Sequence, residues 1–376
     1  MNIGVDGNEA NTEQKVGVHQ YAFEILWSLY RENLKKKNKH TFTIYLKKAP
    51  RTDLPEANRN WQYKVLLGGK VWILTKLMPH LFFNSDVDVL FVPAHYTPLV
   101  SRVPMVTTIH DLGYLDSSEQ FKKYDFWQLK LWTAKSINTS KSIIAISDST
   151  RKDIVRHYKS ASKKITVVHH GYDKDRFNTS IRQKDVRRVK NKLSIKGEYL
   201  LFLSLLKPSK NIDGLLRAFA AVKAKGNTAV KLVVAGRKGW LYESIFQLTK
   251  ELGIDDSVIF TGFVDEEDKP ALYYGSKLFV LPAHWEGFGM VALESLACGT
   301  PVVVSKVGGL PEVVGDAGYY VDPKDPNDIA AKIQGLLRLS KPEYEKIVKK
   351  GLKQANKFSW EKAAKETLKV LESVVK

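Results

Sequence analysis

Short apolar runs alternate with amphipathic stretches of helical periodicity along most of the 376 residues. Strands that alternate with helices form a parallel sheet covered by helices on both faces, because parallel strands need crossover connections. The sequence therefore predicts an α/β fold with doubly wound sheets. Predicted strands cover residues 2–6, 41–46, 63–67, 87–92, 103–109, 142–145, 167–170, 199–205, 231–235, 258–260, 278–281 and 301–305. Predicted helices cover residues 17–33, 71–83, 121–139, 149–157, 212–224, 243–252, 290–297 and 326–339, with further helices to residue 375.

The length of the chain and its 44% hydrophobic content provide enough apolar material for two cores. The alternation breaks between residues 173 and 198, where a charge-dense segment separates two runs of strands. Such a segment is typical of a connection between domains. We therefore expect a first domain over residues 1–172, a linker with the first helix of the second domain over 173–198, a second domain over 199–356 and a terminal segment over 357–376.

Cysteine content and the start of the chain bear on the compartment. Cys298 is the single cysteine, which excludes an intrachain disulfide and fits a reducing compartment. Residues 1–6 read as a strand rather than a signal segment, and no apolar run has the length of a membrane span. We expect a cytoplasmic protein, with peripheral attachment to the inner face of the cell membrane as an open alternative.

The formal net charge of +19 calls for an anionic partner or a solvated basic surface. Nucleic acid is not expected as the partner, because no zinc-finger spacing or recognition-helix motif accompanies the charge. An anionic membrane surface stays open. Residues 71–83 could form a helix lying on a membrane, but we favour a core or cleft helix because its apolar residues point all round. Asp86 and Asp88 resemble a metal motif, but they precede a strand and are expected to be structural.

The turn between the predicted strand 278–281 and the predicted helix 290–297 is the strongest candidate for a binding site. Gly287 and Gly289 allow the backbone to approach a ligand, and the first N–H groups of the helix favour an anion. Glu286 and Glu294 lie on either side. Carboxylates are unfavourable beside phosphate, so these two are better placed to accept hydrogen bonds from a sugar and a ribose. The alternative is that both are ordinary charges at a helix start.

Other strand ends carry comparable turns. Gly17 lies between the first strand and its helix, and Lys210 follows a strand and precedes a helix start. A lysine in that position is a suitable cation for a diphosphate leaving group. His110 and Asp111 end another strand and should reach the carboxyl edge of the sheet. Arg237 and Lys238 follow a strand in the second half and are candidate neighbours of a nucleotide.

The segment Glu286-Gly-Phe-Gly-Met-Val-Ala-Leu-Glu294, with Ala-Cys-Gly-Thr-Pro-Val-Val after it, resembles the E-x7-E signature of retaining glycosyltransferases of the GT-B fold and the family 4 type. The segment Thr-Ile-His-Asp-Leu around His110 is similar to the acceptor-side motif of the same family. The resemblance covers the whole chain. It implies two Rossmann-like domains that face each other across a cleft, with residues 357–376 packing back on the first domain.

The resemblance also implies roles for individual residues. Glu286, His110 and Lys210 would be catalytic, with Asp111 on the acceptor side. Related sequences carry an arginine near the lysine. Leu205 and Ser209 stand in its place here, and Lys207 is the nearby substitute. The donor-binding residues would be Gly17, Lys207, Arg237, Val264, Gly287, Phe288, Gly289, Met290, Val291 and Glu294.

The implied activity is metal-independent transfer of a hexose, with retention, from a nucleotide diphosphate sugar to a glycan or lipid-linked saccharide. The pattern looks most similar to bacterial mannosyltransferases of surface polysaccharide assembly, which favours GDP-mannose over UDP-hexoses as co-substrate, with no other cofactor. Two alternatives stay open: a nucleotide-sugar epimerase of the same fold, and a non-catalytic basic protein that binds nucleic acid or membrane. We also expect the turns at Gly17, Lys210 and Phe288 to converge on one pyrophosphate.

Overall fold

The computed structural model describes residues 1–15, 17–94, 96–115, 123–226, 229–237 and 243–375. The chain divides into two units. Unit 1 contains Met1–Gly171 together with Ser359–Lys376, and unit 2 contains Tyr172–Phe358.

Unit 1 is built on a seven-stranded parallel sheet with the order β3-β2-β1-β4-β5-β6-β7. Strands β4, β5 and β6 are buried along their whole length, which explains their run of apolar and small residues. The strands are β1 (Asn2–Asp6), β2 (Thr41–Leu46), β3 (Trp61–Val65), β4 (Val89–Val92), β5 (Met105–Ile109), β6 (Ser142–Ala145) and β7 (Ile165–Val167). The helices within Met1–Gly171 are α1 (Val18–Lys35), α2 (Met78–Phe83), α3 (Lys123–Thr139) and α4 (Asp148–His157).

Unit 2 is built on a six-stranded parallel sheet with the order β10-β9-β8-β11-β12-β13. Its strands are β8 (Tyr199–Leu203), β9 (Lys231–Ala235), β10 (Val258–Gly262), β11 (Leu278–Leu281), β12 (Val302–Ser305) and β13 (Gly318–Val321). Its helices are α5 (Gln183–Lys192), α6 (Ile212–Ala224), α7 (Glu243–Glu251), α8 (Lys269–Tyr274), α9 (Met290–Ala297), α10 (Leu310–Val314), α11 (Pro326–Leu337) and α12 (Lys341–Ala355).

The last helix, α13 (Trp360–Val375), follows unit 2 in the sequence but belongs to unit 1. It packs against α1 and over β4 and β6. Its buried face includes Trp360, Leu368 and Leu371. The Glu372 carboxylate pairs with Lys39 Nζ at 2.8 Å and with His40 Nε2 at 3.0 Å. The apolar face and these ion pairs attach α13 to the core of unit 1.

The predicted fold class is confirmed, since both sheets are parallel and doubly wound. In each sheet the strand order reverses direction beside the strand that comes first in the sequence, so the switch points lie between β1 and β4 and between β8 and β11. Ligands of open α/β sheets bind outside the carboxyl ends of the strands at such a point. A ligand-binding site is therefore expected at the turns that follow these strands.

Several helices begin at residues whose side chains cap them. Ser147 Oγ accepts a hydrogen bond from Thr150 N at the start of α4, and Asp325 caps α11 with Pro326 in its first turn. Ser359 Oγ accepts from Lys362 N at the start of α13. These local side-chain contacts satisfy N–H groups that have no partner within the helix.

Other predicted elements differ in position. Residues 71–83 form a π-helical turn over Ile73–Leu77 followed by α2, because Pro79 has no N–H to donate and fits only the first turn of a helix. Strand β3 begins two residues before its predicted start, and β7 ends before residues 168–170. Strand β13 was not predicted, because it is short and begins at glycine.

The structural interpretation of the aspartate pair is confirmed. Asp88 accepts a hydrogen bond from Asn2 N at 2.7 Å, and Asp86 accepts one from the Tyr45 hydroxyl at 3.1 Å. Among the described helices, none combines the length and the apolar character needed to cross a membrane.

Candidate active site

The turns that follow β8 and β11, on either side of the switch point in unit 2, are bonded to each other. His284 N donates to the Ser209 carbonyl at 2.9 Å. The Asn211 side chain donates to the Pro282 carbonyl at 2.8 Å, and its backbone is left-handed with φ of 55°. Asparagine tolerates that conformation better than most residues. The two turns therefore form one rigid support.

Lys210 and Glu286, predicted separately from the two turns, form an ion pair on this support. Lys210 Nζ lies 2.7 Å from Glu286 Oε2, and the side chains are 10% and 17% exposed. Burial alone would raise the pKa of Glu286, but the Lys210 ammonium, Lys207 and the Phe288 N–H together bring that pKa below its ordinary value. Glu286 is thus ionised at neutral pH. Lysine has three N–H donors, so pairing with one carboxylate does not exhaust them.

A third turn, after β12, supports the backbone at Glu286 and was not assigned a role from the sequence. Gly309 N donates to the Glu286 carbonyl at 2.9 Å. A Cβ atom at Gly308 would lie 1.9 Å from the same carbonyl oxygen, and one at Gly309 would lie 2.4 Å from the Gly287 carbonyl oxygen. The glycine pair that follows a buried strand after two intervening residues was the available signal, since adjacent glycines there indicate close backbone approach.

Substituting Gly308 tests how tightly this turn abuts Glu286. Gly308 has φ of 54°, and Gly253 has φ of 63°, with no described residue beyond its chain neighbours within 4 Å of its Cβ position. Gly253→Ala should cost only the left-handed conformation, about 1–2 kcal/mol. Gly308→Ala adds a backbone clash and should lower the free energy of unfolding by about 3 kcal/mol or more. Urea denaturation of both variants measures the difference, and equal losses would contradict the close approach.

The start of α9 is shaped by Gly289, which has φ of 99° and directly precedes the helix. Gly287 is buried within the same turn, and Met290 and Val291 are half-buried in the first turn of α9. Phe288 has a buried ring that makes an edge contact with Phe358 at 5.9 Å. Its predicted contribution to donor binding is thereby restricted to its backbone.

Glu294, the second glutamate of the motif, lies in surroundings unlike those of Glu286. The Tyr273 hydroxyl donates to Glu294 Oε2 at 3.0 Å. Burial raises the pKa of Glu294, against the weaker opposing effect of Lys269. The motif therefore holds one ionised carboxylate stabilised by a lysine and one that burial pushes towards its neutral form. Its predicted contact with ribose stays a prediction.

Because the pKa of Glu294 is raised and that of Glu286 is lowered, replacing each by glutamine should change the stability of the fold in opposite directions. A raised folded-state pKa means that stability falls as pH rises from the ordinary glutamate value, about 4.3, through the folded value. Glu294→Gln removes that loss, so at pH 7 the variant should unfold at the same or a higher urea concentration than the unmodified chain. At pH 4 the two should be alike. A large destabilisation at pH 7 would show that Glu294 is an essential charged group of the fold.

The remaining predicted residues of unit 2 lie at neighbouring strand ends. The Arg237 carbonyl accepts from Leu206 N at 3.0 Å, which ties the end of β9 to the turn after β8, and its side chain is exposed. Gly236 makes this possible, since a Cβ there would lie 1.8 Å from the Ser204 carbonyl oxygen. Val264 follows β10 and is buried. Lys238, also considered as a nucleotide neighbour, lies outside the described residues.

His110 in unit 1 follows β5 and is buried. Its Nε2 lies 2.9 Å from the Pro93 carbonyl oxygen. A carbonyl only accepts, so this contact requires the proton on Nε2 and fixes the orientation of the ring. The ring also makes an edge contact with Tyr21, with centroids 4.8 Å apart.

Tyr21 begins a column of rings that the sequence did not reveal. Its ring stacks on His170 at 4.6 Å, and His170 stacks on Trp360 of α13 at 5.5 Å. The Tyr21 hydroxyl lies 3.0 Å from Thr108 Oγ1. Burial holds the pKa of His170 well below its usual range, so this ring is neutral. The column joins the last helix to the residue predicted to contact the sugar.

Gly17 and Asp111 are the other predicted residues of unit 1. Gly17 precedes α1 with φ of 55°. Among the described residues other than its chain neighbours, none has an atom within 4 Å of its Cβ position, so glycine is required there for its backbone conformation. Asp111 Oδ1 accepts from Gly113 N at 3.0 Å and so supports its own turn. Its predicted acceptor-side role stays a prediction. Within the described ranges, no group of three or more His, Cys, Asp or Glu side chains is placed to hold a metal ion.

Two doubly wound units, with a lysine–glutamate pair on glycine-shaped turns of unit 2, fit the GT-B class of glycosyltransferases. Residues 183–354 match the family model described as glycosyl transferases group 1, and residues 31–176 match the one described as glycosyltransferase family 4. The chain is 33% identical over 264 residues to the O-antigen chain mannosyltransferase B of Escherichia coli, covering 70% of this chain and 68% of that protein. The chain therefore belongs to the family 4-type glycosyltransferases and is a transferase.

Solved structures agree with the fold. The sucrose-phosphate synthase of Thermosynechococcus elongatus has a TM-score of 0.77 at 19% identity, covering 99% of this chain and 98% of that one. HepE of Anabaena, in complex with UDP and glucose, has a TM-score of 0.75 at 18% identity, covering 99% of each chain.

Proposed function

We propose that this glycosyltransferase moves a hexose, with mannose preferred, from a nucleotide diphosphate sugar to a glycan or lipid-linked saccharide, with retention and without a metal ion. The observation that carries the proposal is the Lys210–Glu286 ion pair, 2.7 Å long, at the switch point between β8 and β11. The lysine cation suits the diphosphate of the donor, and the ionised carboxylate beside it suits the hydroxyls of the sugar.

The chemistry assigns different tasks to the two charges. When the bond between the anomeric carbon and the diphosphate oxygen breaks, its electron pair leaves with the phosphate. Lys210 and the N-terminal end of α9 would stabilise that negative charge. Glu286 would accept hydrogen bonds from hydroxyls of the sugar and hold the anomeric carbon in position.

The retaining course follows the family resemblance. The acceptor hydroxyl would attack on the face from which the diphosphate departs, so that a new carbon–oxygen bond replaces the old one with the same configuration. The acceptor proton would pass to the departing phosphate oxygen. This course requires no protein nucleophile, and we propose that His110 contacts the transferred sugar.

Mannose is supported by the E. coli relative, an O-antigen chain mannosyltransferase. GDP-mannose is accordingly the proposed donor, with UDP-hexoses as the alternative because HepE was solved with UDP and glucose.

Thermal denaturation with GDP, UDP and ADP tests the donor without knowledge of the acceptor. A nucleoside diphosphate that binds only the folded chain raises its melting temperature in proportion to the logarithm of its concentration. GDP should give the largest rise, and the rise should persist in EDTA. A larger rise with UDP would transfer the assignment to a UDP-hexose, and no rise with any of them would contradict a nucleotide-sugar enzyme.

Incubation with GDP-mannose alone separates transfer from epimerisation. A transferase should leave the sugar's configuration unchanged and release at most free mannose, whereas an epimerase would accumulate a second nucleotide sugar. Chromatography of the nucleotide sugars distinguishes these outcomes.

A further inference from the structure

The backbone and the ring of His110 are held by different parts of unit 1. The Thr150 hydroxyl, at the start of α4, donates to the His110 carbonyl at 3.1 Å and accepts from Ser147 Oγ at 3.0 Å. The ring lies against the Pro93 carbonyl through Nε2 and against the Tyr21 ring, whose plane is at 81° to its own. The contacts of the ring are separate from the contact of the backbone, so a substitution can alter one without the other.

Tyr21 is fixed against the strand that carries His110. Its hydroxyl lies 3.0 Å from Thr108 Oγ1 on β5, two residues before His110. The side chain is buried, and burial raises the pKa of Tyr21, so the hydroxyl keeps its proton at neutral pH and can share a hydrogen bond with the threonine. This bond holds the tyrosine ring beside the histidine.

The ring column, which we define as His110, Tyr21, His170 and Trp360, continues from Tyr21 to α13. His170 stacks on Tyr21 with an angle of 30° between the planes, and on Trp360 with an angle of 26°. A Cβ atom at Gly171 would lie 2.0 Å from Trp360 N, so the backbone after His170 abuts the start of α13. All four rings are buried in unit 1, where close packing transmits the displacement of one side chain to the next.

We propose that Tyr21 is a positioning residue for sugar transfer, which holds the His110 ring in the orientation that contacts the transferred sugar, and that Trp360 holds Tyr21 in place through His170. The inference rests on the proposed function, because it takes His110 as the group that contacts the sugar. The effect of the column is geometric, since a small misplacement of a group that contacts the substrate slows the reaction. The last helix thereby contributes to the transfer step.

The orientation of the His110 ring can be measured without substrate. NMR of the chain containing isotope-labelled histidine should show a slowly exchanging Nε2 proton, because that proton is donated to the Pro93 carbonyl. His110→Ala identifies the signal by its loss. Tyr21→Leu should speed the exchange by about tenfold or more, because the ring can turn away from the carbonyl. Tyr21→Phe keeps the neighbouring ring and should leave the exchange within about threefold of the unmodified chain.

Turnover gives the second readout. Tyr21→Leu should lower kcat by about tenfold and leave KM for the donor within about twofold, since the diphosphate is proposed to bind at Lys210 and α9. Trp360→Leu acts through His170 and Tyr21 and should lower kcat by about threefold or more at the same KM, whereas Trp360→Phe should restore most of the loss. The tryptophan variants test the column independently if Tyr21→Leu does not fold, which circular dichroism determines.

The matched control is Leu371→Ala, because Leu371 is fully buried on the same helix, about three turns after Trp360. This variant should melt at a lower temperature but leave the His110 exchange and kcat unchanged. Equal effects of Leu371→Ala and Tyr21→Leu would overturn the positioning role, since a general loss of packing would explain both.

Failure of the positioning role is distinguishable from failure of the proposed function. Full turnover by His110→Ala would overturn the sugar contact, and the positioning role with it. An inactive His110→Ala together with full turnover by Tyr21→Leu would overturn the positioning role alone, as would unchanged proton exchange in Tyr21→Leu. A loss of turnover by Tyr21→Phe as large as that of Tyr21→Leu would assign the effect to the hydroxyl and overturn the role of the ring column.

Discussion

Glu286→Ala should reduce the turnover number for sugar transfer by about 10²–10³-fold, because the sugar hydroxyls lose the carboxylate that holds them and Lys210 loses its counter-charge. The measurement is release of nucleoside diphosphate in the presence of acceptor. Glu345→Gln, at an exposed position on α12, is the matched control and should retain full activity. Turnover by Glu286→Ala within a few-fold of the unmodified enzyme would remove Glu286 from the site.

The isosteric variant Glu286→Gln separates charge from shape. It leaves the largely buried Lys210 ammonium without its carboxylate partner, which should lower the free energy of unfolding at pH 7 by about 1–3 kcal/mol. The folded-state pKa of Glu286 lies below its ordinary value, so the contribution is complete above the unfolded pKa of about 4.3 and is lost as pH falls through the folded value. The difference between the two chains should therefore shrink below about pH 4. A difference independent of pH would show that the charge does not matter to the fold.

His110→Ala should reduce turnover by about 10²-fold or more while leaving the melting-temperature rise with nucleoside diphosphate unchanged. The reason is that the histidine is proposed to contact the sugar, whereas the diphosphate is proposed to lie on Lys210 and α9. The contact between Nε2 and the Pro93 carbonyl orients the ring for this task. The experiment measures turnover and the thermal shift on the same preparation.

The control for this variant is His157→Ala, since His157 is exposed at the end of α4. It should match the unmodified enzyme in both measurements. Full turnover by His110→Ala would contradict the assigned contact, and a lost thermal shift would instead place the histidine at the diphosphate.

The sequence predicted the local parts of the site well, because they are encoded by residues close together in the chain. The strand Leu278–Leu281 and the helix Met290–Ala297 were predicted with their observed bounds, and the turn between them contains Glu286. Lys210 was predicted at the adjacent strand end by the same reasoning. Their meeting at 2.7 Å follows from the parallel sheet, since neighbouring strands present their carboxyl ends side by side.

The parts that could not be predicted depend on contacts between distant segments. Gly308 and Gly309 support Glu286 only because the turn after β12 folds against the turn after β11. The ring column joins residues 21, 110, 170 and 360, and no local pattern connects them. The opposite pKa shifts of the two glutamates likewise depend on distant residues, because Lys210 lowers the pKa of Glu286 while burial raises that of Glu294.

The placement of α13 has a consequence for biosynthesis. Because the helix that covers β4 and β6 is encoded after unit 2, the core of unit 1 cannot be completed until unit 2 has also been translated. Unit 2 has all of its own elements sooner, so the later-encoded half is positioned to mature ahead of the earlier one. A gene fragment ending at residue 171 should yield an aggregation-prone polypeptide, and supplying residues 359–376 as a separate peptide should rescue it.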